Sequence, residues 1–397
     1  MTKPLHVCHI VLGLDVGGME NGLVNLIRSL DESAFRHTVI SLLGRGHYSA
    51  ILEKMSVTIM EPERKPAGGH LRYYWNVYCL LKSLKPDIVH TRNLPTCDLA
   101  PIARAAGVRT VVHSEHGLDM LELSAKSRRY VWLRRCVRPF VCEYLTLGKE
   151  LTDWLERRVG VSRGAITPVY NGVDSVAFRP RDAAERATLR AAHLPSGWPG
   201  KAIVIGSAGR LSAIKSHDTL IRAVALLRSR SPETFQKLRI LLIGDGPMRP
   251  ALESLAAELD CSDQLHITGF RKDVSDLLAT LDVFILSSHR EGISNTLLEA
   301  MATGLPVIAT AVGGNVELVA DRRTGLLIEP SKPGALADAI SEIVTNPALA
   351  ATVARTARKA TQEHYTWQKM AATYSHVYQR AVDRANGPIS TEEPTET

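Results

Sequence analysis

The chain has 397 residues, 45% of them hydrophobic and 22% charged, an ordinary balance for a globular protein and enough length for two cores. Its net charge of +7 permits acidic partners such as nucleotide phosphates or anionic lipid. Aromatic content of 5% and the lack of a nucleic-acid motif argue against nucleic-acid binding. No apolar run reaches the roughly 18 residues that span a membrane. The opening M-T-K-P passes straight into a strand, so no signal peptide is expected. Six cysteines with no C-x-x-C pair argue against zinc and a disulfide framework, and for a reducing, cytoplasmic compartment.

Residues 5–12 (L-H-V-C-H-I-V-L) read as a strand, residues 13–18 (G-L-D-V-G-G) as a Gly-rich turn, and Met19 to Leu30 as a helix with Leu23, Ile27 and Leu30 on one face. A strand, a Gly-rich turn and a helix start make an oxyanion cradle at Gly17 and Gly18, or equally a simple tight connection. G-x-G-x-x-G is absent, which weakens a dinucleotide reading. Further strands are expected at Thr38–Leu43, Val57–Met60, Asp87–His90, Thr110–His113, Glu143–Leu147 and Ile166–Val169, with helices between. That alternation predicts a parallel, doubly wound domain whose loops at the strand C-termini face the ligand. Two such loops follow His90 and His113; they offer Arg92 and Glu115 to an acceptor and make His116 a candidate ligand contact or a structural histidine.

Residues 121–144 mix Lys126, Arg128, Arg129, Arg134, Arg135 and Arg138 with Tyr130, Trp132, Leu133 and Phe140. The mixture suits an anionic membrane surface, or equally a solvated basic face. An Asn-Gly turn at 171–172 leads towards 179–200, which is polar, Pro/Gly-bounded and helical in the middle, and is expected as a linker after a first domain of residues 1–178.

A second alternating domain is expected over 201–364. Its first loop, Gly209 to Lys215, offers Arg210 as a fork and Lys215 as a point charge, a good pair for a diphosphate. A later loop, H-I-T-G-F-R, holds Phe270 and Arg271, and Asp273 is placed to cap the next helix. The most informative stretch is 287–312, S-S-H-R-E-G-I-S-N-T-L-L-E-A-M-A-T-G-L-P-V-I-A-T-A-V. A buried strand leads into a loop with Glu291, Gly292 and Ile293. Ser294 or Asn295 then caps a helix carrying Glu299, and Gly304-Leu305-Pro306 ends it before the next strand. The helix start favours phosphate or sugar oxygens, and carboxylates suit vicinal hydroxyls. Residues 365–386 are expected as a terminal helix and the acidic, Pro/Thr-rich 387–397 as a disordered tail.

E-x7-E followed by A-M-A-x-G-x-P-V resembles the donor site of the retaining family 4 glycosyltransferases, which have a GT-B fold. G-R-L-x-x-x-K, with Ser216 where the family has Gly, and the G-G-x-E, H-G and N-G-V-D stretches are similar to the same family. The resemblance implies two Rossmann-like parallel-sheet domains facing a cleft, with the terminal helix crossing back to the N-domain. It implies Arg210 and Lys215 on the donor diphosphate, Glu299 on the ribose and Glu291 by the donor sugar. Phe270–Arg271 would lie at the base, Gly292, Ile293, Ser294 and Asn295 at the helix start, Gly17 and Gly18 at the diphosphate, and His116 at the transferred sugar. It implies retention by front-face attack, with no metal and no cofactor. The partners implied are a nucleotide-sugar donor, UDP-sugar before GDP-sugar, and a lipid-linked or glycan acceptor. Overall the chain looks like bacterial exopolysaccharide sugar transferases of the kind found with exosortase systems. A GT-B nucleotide-sugar epimerase and a non-catalytic nucleotide-sugar-binding or membrane scaffold share most of these features.

Overall fold

The computed structural model describes residues 3–15, 17–62, 70–117 and 127–387. The chain is α/β and divides into two units, residues 1–169 with 368–397, and residues 170–367. The first unit holds strands β1 (Leu5–Val11), β2 (Phe35–Ser41), β3 (Thr58–Met60), β4 (Ile88–Arg92), β5 (Thr110–Glu115), β6 (Glu143–Leu147) and β7 (Ile166–Val169). They pair in parallel in the order β3-β2-β1-β4-β5-β6-β7. The second unit holds β8 (Ile203–Ala208), β9 (Leu238–Ile243), β10 (Leu265–Ile267), β11 (Val283–Leu286), β12 (Val307–Thr310) and β13 (Leu326–Ile328). Their order is β10-β9-β8-β11-β12-β13, again parallel. Strands such as Val283–Leu286 are buried along their whole length, as a sheet covered by helices on both faces demands.

Topology locates the ligand edge without reference to any motif. In doubly wound sheets, ligands bind outside the strand C-termini where the strand order reverses. That point lies between β1 and β4 in the first unit and between β8 and β11 in the second. The loops that follow these four strands are Leu12–Gly17, Asn93, Gly209–Ser216 and Ser287–Ser294.

Two strands run further than expected. β4 continues through Arg92 and β5 through Glu115, so both residues are sheet residues, 2% and 0% exposed. Neither lies in an open acceptor loop. Glu115 Oε1 accepts from Arg134 Nε and its Oε2 from Arg134 Nη2 at 3.1 Å, while His113 Nε2 lies 3.2 Å from Oε1. Burial alone would raise the Glu115 carboxyl; the His113 bond and the Arg134 charge bring it down to about 2. Arg134 is the buried arginine of the helix Ser127–Val137, inward while Arg128, Arg129 and Arg135 face outward.

The terminal helix Trp367–Asn386 belongs to the first unit from Gln368 onward. Met370, Tyr374, Val377, Tyr378 and Ala381 make its buried face. Arg380 donates from Nε and Nη2 to the two oxygens of the fully buried Glu143 at 3.0 and 2.6 Å, and Arg384 bonds the same carboxylate. Tyr378 Oη lies 2.7 Å from His90 Nδ1. These polar contacts fix the helix's register along the sheet, which its apolar face alone would not.

Residues 179–200, expected as a linker, contain the helix Ala183–His193 and belong to the second unit. Asp182 caps that helix with a reciprocal bond to Glu185. Arg186 and Arg190 grip the two oxygens of Asp282 at 2.8 and 2.6 Å. The passage between units instead falls at Val169–Tyr170 and Trp367–Gln368. The sequence does not pair Arg186 and Arg190 with Asp282, because the acceptor lies some ninety residues away.

Replacing Glu115 with Ala leaves the Arg134 guanidinium buried without its carboxylate. The expected cost is about 3–5 kcal/mol of folding stability, read as a fall in the denaturant midpoint at unchanged slope.

Candidate functional site

In the second unit, the loops after β8 and β11 are bound to each other. His289 N donates to Ile214 O at 2.8 Å, and Ser287 Oγ donates to Ser216 O at 2.8 Å and Lys215 O at 3.2 Å. Lys215 Nζ donates to Glu291 Oε1 at 2.7 Å, and Ser288 Oγ bonds the same oxygen. Both partners bind Oε1, so Oε2 remains open to a ligand donor among the described residues. The Glu291 side chain is 9% exposed and that of Lys215 is 23% exposed. Ser216 adopts a left-handed φ of 47°, a conformation that favours glycine. Here its hydroxyl meets Thr219 Oγ1 at 2.8 Å. Arg210 is exposed at the start of the same loop.

The helix Asn295–Thr303 begins at the end of the β11 loop. Ser294 is the cap, its hydroxyl accepting from Leu297 N at 3.4 Å. Asn295 instead accepts at Oδ1 from Asn171 Nδ2 at 2.7 Å. Gly304 ends the helix in the left-handed conformation. Ile293 is 7% exposed, and Gly292 lies under Gly314, where a Cβ would come within 2.3 Å of Gly292 O. Any side chain at 314 would therefore push the loop that carries Glu291.

Glu299 faces neither cation nor amide. Among the described residues its carboxylate has no hydrogen-bond or ion-pair partner, and burial pushes its pKa up to about 8. Half-buried and mostly a neutral carboxyl at pH 7, the group can both donate to and accept from a ligand's hydroxyls.

Phe270 follows β10 and is 62% exposed. The Arg271 side chain is committed: Nε donates to Asp273 Oδ1 at 2.8 Å, Nη2 bonds Oδ2, and Nη2 lies 3.2 Å from His193 Nδ1. Asp273 thus serves Arg271 and makes no side-chain cap to the helix Val274–Ala279.

In the first unit, the helix Gly18–Ser29 starts directly after Gly17. The Glu20 carboxylate folds back over Gly17, where a Cβ would lie 2.2 Å from Oε2, so a side chain at 17 would displace the Glu20 carboxylate. Burial raises the Glu20 pKa. His116 follows β5. Its Nε2 lies 2.9 Å from Ser114 Oγ, and burial together with the Arg92 charge lowers its pKa to about 3, so the ring is neutral at pH 7. Nδ1 has no partner among the described residues.

The basic–aromatic segment falls partly outside the described residues, at 121–126. From 127 onward, Arg128, Arg129 and Arg135 face outward beside Trp132, which is 67% exposed. Among the described residues, no helix is long and apolar enough to cross a membrane, and no three His, Cys, Asp or Glu side chains converge to hold a metal. The tail at 388–397 lies outside the described residues.

Sequence reasoning missed Ser288, Asn93 and Asn171. The first holds Glu291 and is visible only as a repeat serine; the others act on partners 23 and 124 residues away. Chemically, the second unit offers two cations, one open oxygen of Glu291, the Glu299 carboxyl and a helix start. That set fits an anionic, polyhydroxylated ligand.

Residues 16–176 match the family model described as Glycosyltransferase Family 4, and residues 191–360 match Glycosyl transferases group 1. Among curated proteins, the chain is 34% identical over 245 residues to the D-inositol 3-phosphate glycosyltransferase of Streptomyces avermitilis, covering 59% of this chain and 50% of that protein. It thus spans about half the length of that relative. It is 28% identical over 334 residues to EpsD of Bacillus subtilis, a glycosyltransferase by name, covering 81% and 84%. Among solved structures, HepE of Anabaena in complex with UDP aligns with a TM-score of 0.82 at 19% identity, over 95% of this chain and 100% of that one. Sucrose-phosphate synthase of Thermosynechococcus elongatus aligns at 0.78 and 20%, over 95% and 98%. Both likenesses are of fold. With one glycosyltransferase model matched over the first unit and its companion over the second, the chain belongs to the group 1, family 4-like glycosyltransferases of GT-B fold.

Proposed function

We propose that the protein is a retaining glycosyltransferase that moves a sugar from a nucleotide-diphosphate sugar to a hydroxyl of a lipid-linked or glycan acceptor in cell-envelope or exopolysaccharide synthesis. The observation that carries this reading is Glu299, a carboxyl with no partner among the described residues, on the helix that follows the loop of Glu291. Its oxygens match the two hydroxyls of a ribose. Arg210 and Lys215 match the diphosphate, and the backbone beside Phe270 and Arg271 matches the base. Glu291 Oε2 orients the sugar.

In the reaction, the acceptor oxygen bonds to the anomeric carbon while that carbon's bond to the diphosphate breaks. The acceptor proton passes to a phosphate oxygen of the departing nucleoside diphosphate. Arg210, Lys215 and the amides of Gly292–Asn295 offset the charge that grows on it. On the first unit, a neutral His116 donates or accepts one hydrogen bond without adding charge. The outward Arg and Trp face of 127–138 suits an anionic lipid surface, in keeping with a lipid-linked acceptor. UDP is the first expectation for the leaving nucleotide and GDP the second.

Melting of the full chain with UDP, GDP, ADP or NAD, in EDTA, tests the reading. A selective rise with one nucleoside diphosphate is expected, since a ligand bound only by the folded state raises the melting temperature. No rise with any diphosphate, or a rise with NAD alone, overturns it. Glu299→Ala should abolish most of the rise, whereas Glu291→Ala should keep it and lower turnover by about tenfold or more.

Glu299 also sets a pH dependence. Its folded pKa of about 8 stands above the ordinary 4.5. Its contribution to stability is therefore complete below 4.5 and is lost as pH rises through 8. Glu299→Gln, which cannot ionise, should melt close to wild type at pH 4.5 and clearly above it at pH 9. A difference that does not grow with pH would show that the Glu299 carboxyl titrates normally.

A further inference from the structure

Asn93 ends β4 at the point where the strand order of the first unit reverses. Its backbone sits at φ 57° and ψ 175°, a region that side chains disfavour and glycine alone adopts readily. Such strain persists only where neighbours over-determine it. Three of them do so here. Asn93 N donates to Ser114 O at 2.8 Å, Asn93 Oδ1 accepts from His116 N at 2.7 Å, and Asn93 Nδ2 lies 3.7 Å from Met19 Sδ. Arg92 is anchored just before it, its N–H donating to Thr96 Oγ1 at 2.6 Å while that hydroxyl donates back to Arg92 O at 2.8 Å. One residue therefore ties the end of β4 to the end of β5 and to the first turn of the helix Gly18–Ser29.

A glycine would adopt this backbone without strain and lose only the amide. The chain carries the strained residue, and what the amide gains is the placement of His116 and of Met19, the neighbours of the Gly117 and Gly17–Gly18 turns. The imidazole then takes its direction from Ser114 Oγ, with Nδ1 left open.

We propose that Asn93 is a positioning residue: its side chain fixes His116 and the Gly17–Gly18 turn in one arrangement at the ligand edge of the first unit. It touches no reacting atom. It acts through His116, and this role rests on the glycosyltransferase reading above; its geometric part does not.

The test compares Asn93→Gly, Asn93→Asp and wild type as full chains. Hydrogen exchange of the segments 113–117 and 17–22 reads the geometry. The expected result is faster exchange of the His116 amide and of the first helical turn in Asn93→Gly, at a melting temperature equal to or above wild type, and protection near wild type in Asn93→Asp, which keeps the acceptor oxygen. Unchanged exchange in Asn93→Gly, or a fall in melting temperature matching the loss of protection, overturns the proposal in favour of a purely structural residue. Release of UDP from UDP-glucose and of GDP from GDP-mannose, with water or an added acceptor, reads the consequence. Asn93→Gly should lower kcat by about tenfold to a hundredfold with KM for the donor within twofold, and Asn93→Asp should recover most of it. An active wild type with an equally active Asn93→Gly overturns the inference and leaves the transferase reading standing. A wild type that neither binds nor cleaves either donor, with exchange as expected, overturns the reading and leaves the positioning geometry standing.

Discussion

The Lys215–Glu291 ion pair is the contact on which the second unit's site depends. It joins the loops of two neighbouring strands, β8 and β11, at the one edge where such a sheet opens to a ligand. A pair this shielded is costly to desolvate, and its Coulomb gain alone is a weak reason to keep it. What it does is geometric. By occupying Glu291 Oε1 it leaves Oε2 as the available acceptor, and it holds the Lys215 ammonium at the mouth of the helix Asn295–Thr303. The backbone bonds from His289 and the Ser287 hydroxyl make the same join from below, so the ligand meets a surface already in place.

The two units handle charge in opposite ways. In the second, Glu299 has no partner among the described residues, and burial drives its pKa up to about 8. In the first, a buried arginine is surrounded by imidazoles. Arg92 Nη2 lies 3.1 Å from His9 Nδ1, and His9 Nε2 lies 3.0 Å from His37 Nδ1. The register places His9 beside His90 on the same sheet face. Burial and the Arg92 charge lower the pKa of His9, His37, His90 and His116 alike. The imidazoles stay neutral, so they supply hydrogen bonds without adding to the Arg92 charge. The terminal helix closes over them with Tyr374 and Tyr378.

Much of this was legible in the sequence, for physical reasons that differ between the units. The alternation of apolar strands and amphipathic helices survives in any parallel sheet with two covered faces, so the doubly wound class and most strand positions follow from periodicity. The cations and carboxylates of the second unit fall in short, ordered strings because one βαβ unit carries each string. Partners distant in sequence leave no such trace. Glu115 reads as a loop acid because Arg134 lies 19 residues on, Glu143 finds Arg380 after 237, and Arg186 finds Asp282 after 96. The stretch 179–200 reads as linker for that reason: Arg186 and Arg190 tie its helix to Asp282 of the second unit.

Strain was equally illegible. Of the described non-glycine residues with positive φ, Asn93 and Ser216 stand on loops at the two reversals of strand order, one in each unit. Both are small polar residues whose side chains bond locally, to His116 and to Thr219. That parallel has a mechanical reading. A strand end that must turn its backbone sharply towards the ligand needs a left-handed residue. Glycine would make the turn without strain but leave it soft, because it has no side chain to brace the neighbouring loop. An Asn or Ser accepts some strain and returns a hydrogen bond across the turn. The chain departs from glycine at the places where a rigid loop end is worth more than an unstrained one, and Ser216 is best understood as the second instance of the device that Asn93 shows in full.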